Sequence, residues 1–229
     1  MEESPSIVQM LLAMERWGTS DLFVTEGKVP GVRLHGQVVK LELPPTPREV
    51  LAAFLGNELH APARTRYLAT GDLDVGLSPA PGRRFRVNLA RQGGRHSLVA
   101  RAIPSGGIDL AALGLPPAVT SLAELTRGLV LVTGATGSGK STTLAGIVHH
   151  INRTRAVHVV TLEEPIEFVH DELEARITQR EVGEDTESFD VALKQVLRES
   201  PDVILIGELR DLHTMRVAIQ AALTGHLVL

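Results

Sequence analysis

The spacing of apolar residues changes character about halfway along the chain. Ile7, Met10, Leu11, Met14 and Trp17 recur at helical intervals and predict an amphipathic helix over residues 6–17, ended by Gly18. A strand-like run starts at residues 19–24, and residues 31–39 read as a hairpin turning at His35-Gly36. After the breaker Pro44-Pro45-Thr46-Pro47, residues 48–59 read as a helix with Val50, Leu51, Phe54 and Leu55 inward. Alternation then takes over, in Leu73, Val75, Leu77, then Phe85, Val87, Leu89, then Leu98, Ala100, Ala102. A helix with several antiparallel strands predicts an α+β domain over residues 1–105.

Turn-rich stretches at Pro104-Ser105-Gly106-Gly107 and Gly114-Leu115-Pro116-Pro117 bracket an expected linker, residues 106–120. From residue 121 onward strands read as continuous apolar runs, at 129–133, 157–162, 202–206 and 226–229. Between them fall helical patterns at 141–152, 187–199 and 212–223. Unbroken apolar strands alternating with helices belong to a parallel sheet covered on both faces, an α/β domain. The chain holds no internal repeat and no low-complexity tract.

The most informative stretch follows the first of these strands. Gly134-Ala135-Thr136-Gly137-Ser138-Gly139-Lys140-Ser141-Thr142 fits the phosphate-binding loop pattern at every fixed position, in strand-loop-helix context. Glycines let successive N–H groups converge on phosphate oxygens, and the helix start adds its dipole. Lys140 is expected to reach the β- and γ-phosphates of ATP, and the Ser141 hydroxyl to sit on Mg²⁺.

Two acidic clusters sit at strand ends, where open α/β sheets bind ligands. Glu163-Glu164-Pro165-Ile166-Glu167 follows the strand His158 to Leu162, and Glu163 is the expected base for an attacking water. Asp202 to Glu208 is an apolar strand ending in an acid, with Gly207 displacing Glu208 by one residue from the usual metal-holding place. Arg198 and Arg210 could neutralise γ-phosphate charge or form surface ion pairs. His226, at a strand start, is a candidate γ-phosphate sensor.

Bulk properties narrow the setting. A net charge of −4 gives no reason to expect nucleic acid or an anionic membrane surface as partner. The absence of cysteine excludes disulfides and thiolate metal sites and suits a reducing cytoplasm. The acidic start Met1-Glu2-Glu3-Ser4-Pro5 lacks the features of a signal peptide, and no apolar run approaches a membrane span. A soluble cytoplasmic protein is expected. The closing run Thr224 to Leu229 reads as the start of a buried strand, which suggests a fragment.

In order, these segments resemble the secretion ATPase superfamily that powers type II secretion and type IV pili. Gly134 to Ser141 is similar to its Walker A motif, Thr161 to Phe168 to its Asp box, and Gly207-Glu208-Leu209-Arg210-Asp211 to its Walker B signature. Gln179-Arg180-Glu181-Val182-Gly183 and Leu197 to Leu205 also resemble family segments, and Thr224-Gly225-His226 resembles the opening of its His box. Upstream, Gly18 to Leu22 and Gly82 to Asn88 resemble the family's PAS-like first domain, and the short lead before Gly18 is most similar to the pilus-retraction branch.

The resemblance implies a PAS-like domain followed by a RecA-like ATPase domain cut off in the His box, and a homohexamer that hydrolyses ATP. That motor would drive pilus retraction and twitching motility from the cytoplasmic face of the inner membrane, against a platform protein, without inserting into the membrane. It implies Glu163 as general base, Glu208 at the Mg²⁺ site, and Arg84, Arg86, Arg101, Arg176 and Arg180 as loose candidates for contacts to nucleotide in the next subunit. Glu164 stands where the Asp box usually has Asp. Two alternatives stay open: an assembly or secretion ATPase of the same superfamily, and a nucleotide-binding subunit without turnover.

Overall fold

The computed structural model describes residues 4–229 and opens on helix α1 (Ile7–Ala13). Ser6 caps it reciprocally: Gln9 N–H donates to Ser6 Oγ at 3.2 Å and Ser6 N–H to Gln9 Oε1 at 2.8 Å. The helix is shorter than its apolar pattern, because residues 14–18 already form a turn. The acidic start Met1-Glu2-Glu3 lies outside the described residues. The chain divides into two units, Met1–Ile103 and Pro104–Leu229.

In the first unit, β1 (Asp21–Thr25), β2 (Gly31–Leu34) and β3 (Gln37–Lys40) precede helices α2 (Arg48–Asn57) and α3 (Ala61–Thr70). Strands β4 (Leu73–Ala80), β5 (Arg83–Gln92) and β6 (Arg95–Ile103) follow. All six strands pair antiparallel in the order β3-β2-β1-β6-β5-β4. Leu22, Val24, Val87, Leu89, Leu98 and Ala100 pack with Ile7, Leu11, Leu51, Phe54 and Tyr67 of the three helices, forming one core. Helix α3 has no counterpart in the sequence reading. Its apolar stripe is thin, with only Ala63 and Tyr67 buried, although His60 caps it and Gly71 (φ 84°) ends it.

The second unit begins with structure where a linker was expected. A 3₁₀ turn (Leu110–Leu113) and helix α4 (Pro117–Ala123) occupy most of residues 106–120. Leu110 is buried, and it approaches the later helix so closely that a Cβ on Gly146 would lie 3.0 Å from Leu110 Cδ1. Leu110 is a core residue, and Leu113 and Leu115 pack against the same core. The elements that follow are β7 (Gly128–Leu129), α5 (Lys140–Thr154), β8 (His158–Glu163), β9 (Arg176–Glu181), α6 (Phe189–Val196), β10 (Val203–Ile206), α7 (Leu212–Leu223) and β11 (Leu227–Val228).

These five strands form a wholly parallel sheet in the order β7-β11-β10-β8-β9. One face packs Val159, Val203 and Leu205 against Ile147 and Ile151 of α5. The other packs Val160, Leu162, Ile204 and Ile206 against Leu193, Val196, Ala218 and Ala221 of α6 and α7. Burial on both faces explains why β8 and β10 were readable as apolar runs. Strand β7 is shorter than the expected 129–133, because its ladder partner β11 is itself two residues long. Strand β9 was not expected at all. It is an edge strand, Arg-Ile-Thr-Gln-Arg-Glu, whose one large apolar residue leaves no pattern to read. No helix among the described residues is long and apolar enough to cross a membrane.

Candidate functional site

The loop from Gly134 to Gly139 joins β7 to α5 and is exposed along most of its length. Gly134 has φ 156°, and a Cβ there would lie 2.6 Å from Ser138 Oγ, so only glycine fits. Gly139, at φ 91°, is the residue before α5, and no side chain among the described residues caps that helix. The N–H groups of its first turn and the positive end of its dipole are thus directed at the loop, which makes an anion site. Lys140 Nζ donates to Gly134 O at 3.1 Å and Ala135 O at 3.0 Å, so its charge lies over the loop. Ala135, Thr136, Ser138, Ser141 and Thr142 complete the loop and helix start as the sequence pattern placed them.

Glu163 is the last residue of β8, at the carboxyl end of the sheet. Its Oε1 accepts from Thr161 Oγ1 at 2.7 Å and Gln179 Nε2 at 3.3 Å, and its Oε2 accepts from Glu167 N–H at 3.3 Å. Burial pushes the Glu163 carboxyl above the usual range, and the charge of Glu167 adds to this. The donated hydrogen bonds offset only part of the rise.

Glu208 lies just past β10. Gly207 N–H donates to Leu162 O at 2.8 Å, and a Cβ on Gly207 would lie 3.3 Å from Glu163 Cα. The extra glycine therefore lets the ends of β8 and β10 close up beside each other. Glu208 Oε1 pairs with Arg210 Nε at 2.6 Å, so Arg210 is engaged within its own segment.

Ser141, Glu163, Glu208 and His170 line one cleft of about 110 Å³. The Ser141 hydroxyl and Glu208 carboxylate are hard oxygen donors, a set that fits Mg²⁺. Among the described residues, His170 Nδ1 is buried with no hydrogen-bond partner. Burial pushes its imidazole down to about 4, helped by the charge of His149 and opposed by Asp171. A larger apolar groove of about 520 Å³ adjoins the loop, reaching from Leu131 to Ile219.

Four sequence-derived candidates lie elsewhere. His226 precedes β11 and so sits at the amino end of the parallel sheet, away from the acids at the carboxyl ends. Its Nδ1 lies 3.0 Å from Ala221 O, at the last turn of α7, which makes it a helix-ending residue. Arg180 pairs in register with Leu162, on the sheet face opposite Thr161, and its Nη1 is bound to Glu199 Oε1 at 3.0 Å. Arg84 and Arg101 belong to the first unit, on β5 and β6, where Arg101 Nε holds Asp21 Oδ1 at 2.8 Å. The sequence reading gave no role to Thr161, Gln179 or His170. Only Thr161 carried a signal, two residues before Glu163 on the same strand.

A family model described as "Type II/IV secretion system protein" matches residues 84–229. The type IV pilus retraction ATPase PilT of Pseudomonas aeruginosa is 40% identical, over 97% of this chain and 64% of its own length. A twitching motility protein of Neisseria gonorrhoeae is also 40% identical, over 97% of this chain and 60% of its own. This chain thus spans just under two thirds of either relative. The crystal structure of the pilus retraction motor PilT with bound ADP superposes with a TM-score of 0.90 at 39% identity, covering 98% of this chain and 66% of that one.

Proposed function

The chain belongs to the type II/IV secretion system protein family, and from that premise we propose that it binds and hydrolyses ATP as part of a pilus-retraction motor. The observation that carries this reading is the shared cleft of Ser141, Glu163 and Glu208 at the foot of the phosphate-binding loop. The similarity to a PilT structure with bound ADP supports the same nucleotide class here.

The loop N–H groups and the start of α5 bind the phosphates, and Lys140 turns from the loop carbonyls to the β- and γ-phosphate oxygens. Ser141 and Glu208 are the residues to hold Mg²⁺, which would neutralise phosphate charge when bound. Glu163 orients the attacking water and takes its proton. A carboxylate whose pKa is raised is better matched to that task than an ordinary one. Residues 164–170 close over it and keep bulk water from competing.

The working motor is a homo-oligomer, a hexamer by the family reading, at the cytoplasmic face of the inner membrane against a platform protein. The identities to retraction and twitching proteins support pilus retraction as its output. Arg84 and Arg101 reach nucleotide bound by a neighbouring subunit. The test is ATP hydrolysis and solution mass of this chain beside Lys140→Ala and Glu163→Gln. Turnover lost about 100-fold in both variants is the expected result. Turnover unchanged in either variant would overturn the assignment.

A further inference from the structure

Glu163 does not hold its position alone. Strand β9 pairs with β8 in the register Thr161↔Gln179 and Glu163↔Glu181, so these four side chains share one face of the sheet. The loop that follows Glu163, residues 164–170, folds back over this face and is fastened to it at several points. Glu163 Oε2 accepts Glu167 N–H at 3.3 Å, and Glu181 Oε2 accepts Ile166 N–H at 3.0 Å. Gln179 makes the other ties: its Nε2 donates to Phe168 O at 2.8 Å and its Oε1 accepts His170 N–H at 2.8 Å.

The same Nε2 also donates to Glu163 Oε1 at 3.3 Å. One amide thus uses both ends, pinning the carboxylate on one side and the loop on the other. A glutamine is suited to this task because it offers a donor and an acceptor on one rigid plane, which neither a carboxylate nor an amine can do. Thr161 Oγ1 supplies a second donor to the same oxygen, at 2.7 Å. Oε1 is thereby occupied by side-chain donors, and Oε2, with one long backbone contact, is the oxygen left to accept a proton.

We propose that Gln179 is a positioning residue for Glu163, fixing which carboxylate oxygen faces the attacking water and locking residues 164–170 over it. The inference rests on the reading of Glu163 as general base. Removing a donor from a carboxylate disfavours its charged form, so loss of the Gln179 amide raises the proton affinity of Glu163 further.

The test is an infrared titration of the Glu163 carboxyl in this chain, with Glu163→Gln as the blank that identifies its band. Gln179→Leu is the first variant. Gln179→Asn, one methylene short of both partners, is the second should the first fail to fold, as judged by circular dichroism. The expected result is a Glu163 midpoint displaced to higher pH, with kcat for ATP hydrolysis about 10-fold lower and KM unchanged, as loss of one hydrogen bond to a charged group would give. A purely structural role would lower stability and leave the midpoint where it is. An unchanged midpoint in a folded variant overturns the proposal. Full hydrolysis by Glu163→Gln would instead sink the general-base reading, whatever the Gln179 variants do to the titration.

Discussion

Thr161 Oγ1 donates to Oε1 of Glu163 across 2.7 Å, two residues further along one face of β8. Thr161 is fully buried, and a buried hydroxyl needs a partner. The strand's own period of two supplies one, because i and i+2 point the same way. Core and site are therefore continuous on this face, with Val159 in the packed layer, Thr161 at its edge and Glu163 in the cleft.

Holding a carboxylate in that place costs stability, which gives the first prediction. The folded-state pKa of Glu163 lies above its unfolded value, so the ionised form is penalised on folding. Below the ordinary Glu pKa of about 4.3 the group is neutral in both states and nothing is lost. The penalty grows as pH rises through the folded-state pKa and is complete above it. Glu163→Gln should therefore melt a few degrees higher than the parent at pH 8, with the difference vanishing near pH 4, while turnover falls about 100-fold. Calorimetry at both pH values checks this, and equal melting temperatures at pH 8 would contradict it.

Gly134 gives the second prediction. Alanine there meets Ser138 Oγ and must adopt φ 156°, so the loop has to refold around it. Backbone strain of this kind costs roughly 1–3 kcal/mol. Gly134→Ala should weaken ADP binding about 10-fold or more with little change in melting temperature, since the loop is exposed. Isothermal titration of ADP into both proteins decides the matter.

The parts of this molecule that are legible in its sequence are those where one strand or one loop contains its own reason. Strands β8 and β10 are covered on both faces and appear as apolar runs. The glycines of residues 134–139 are demanded by local backbone geometry. What escaped depends on pairing. Gln179 meets Glu163 only through the register of β9 on β8, and β9 itself is too polar to recognise as a strand. His226 precedes β11, as its pattern marks a strand start, but a linear pattern does not say which end of a strand faces the ligand. Helix α3 leaves no apolar pattern in the sequence, because Tyr67 is the one large side chain it buries.

His170 supplies the third prediction. Its imidazole is neutral in the folded state, with a pKa pushed down to about 4, against about 6.5 when unfolded. Folding is unaffected by this group above about pH 6.5. As pH falls from there toward 4, the unfolded chain takes up the proton that the folded one refuses, and stability drops by about 2–3 kcal/mol. Urea midpoints measured from pH 7.5 to 4.5 should fall more steeply for the parent than for His170→Gln. Parallel curves would show that other groups control the acid limb.

The fourth prediction concerns Asp21, which is buried between Arg33 and Arg101 at 3.1 and 2.8 Å. Burial opposes its charge, but hydrogen bonds from Arg101 and Ser20 and the charges of both arginines outweigh that, holding the carboxyl below the usual range. The folded-state pKa is the lower of the two, so the stabilisation is complete above the ordinary Asp value of about 3.9 and is lost as pH falls through the folded-state pKa. Both arginines are partly exposed, which screens the pair and limits its worth to about 2 kcal/mol. Asp21→Asn should destabilise the protein by that amount at pH 7 and by much less at pH 3. It should also free Arg101, whose side chain is 69% exposed and has lost its anchor. If Arg101 serves nucleotide bound by a neighbouring subunit, Asp21→Asn lowers ATP turnover in the assembled form while leaving ADP affinity of the isolated chain unchanged. Turnover at the parent rate in assembled Asp21→Asn would confine this pair to a structural role.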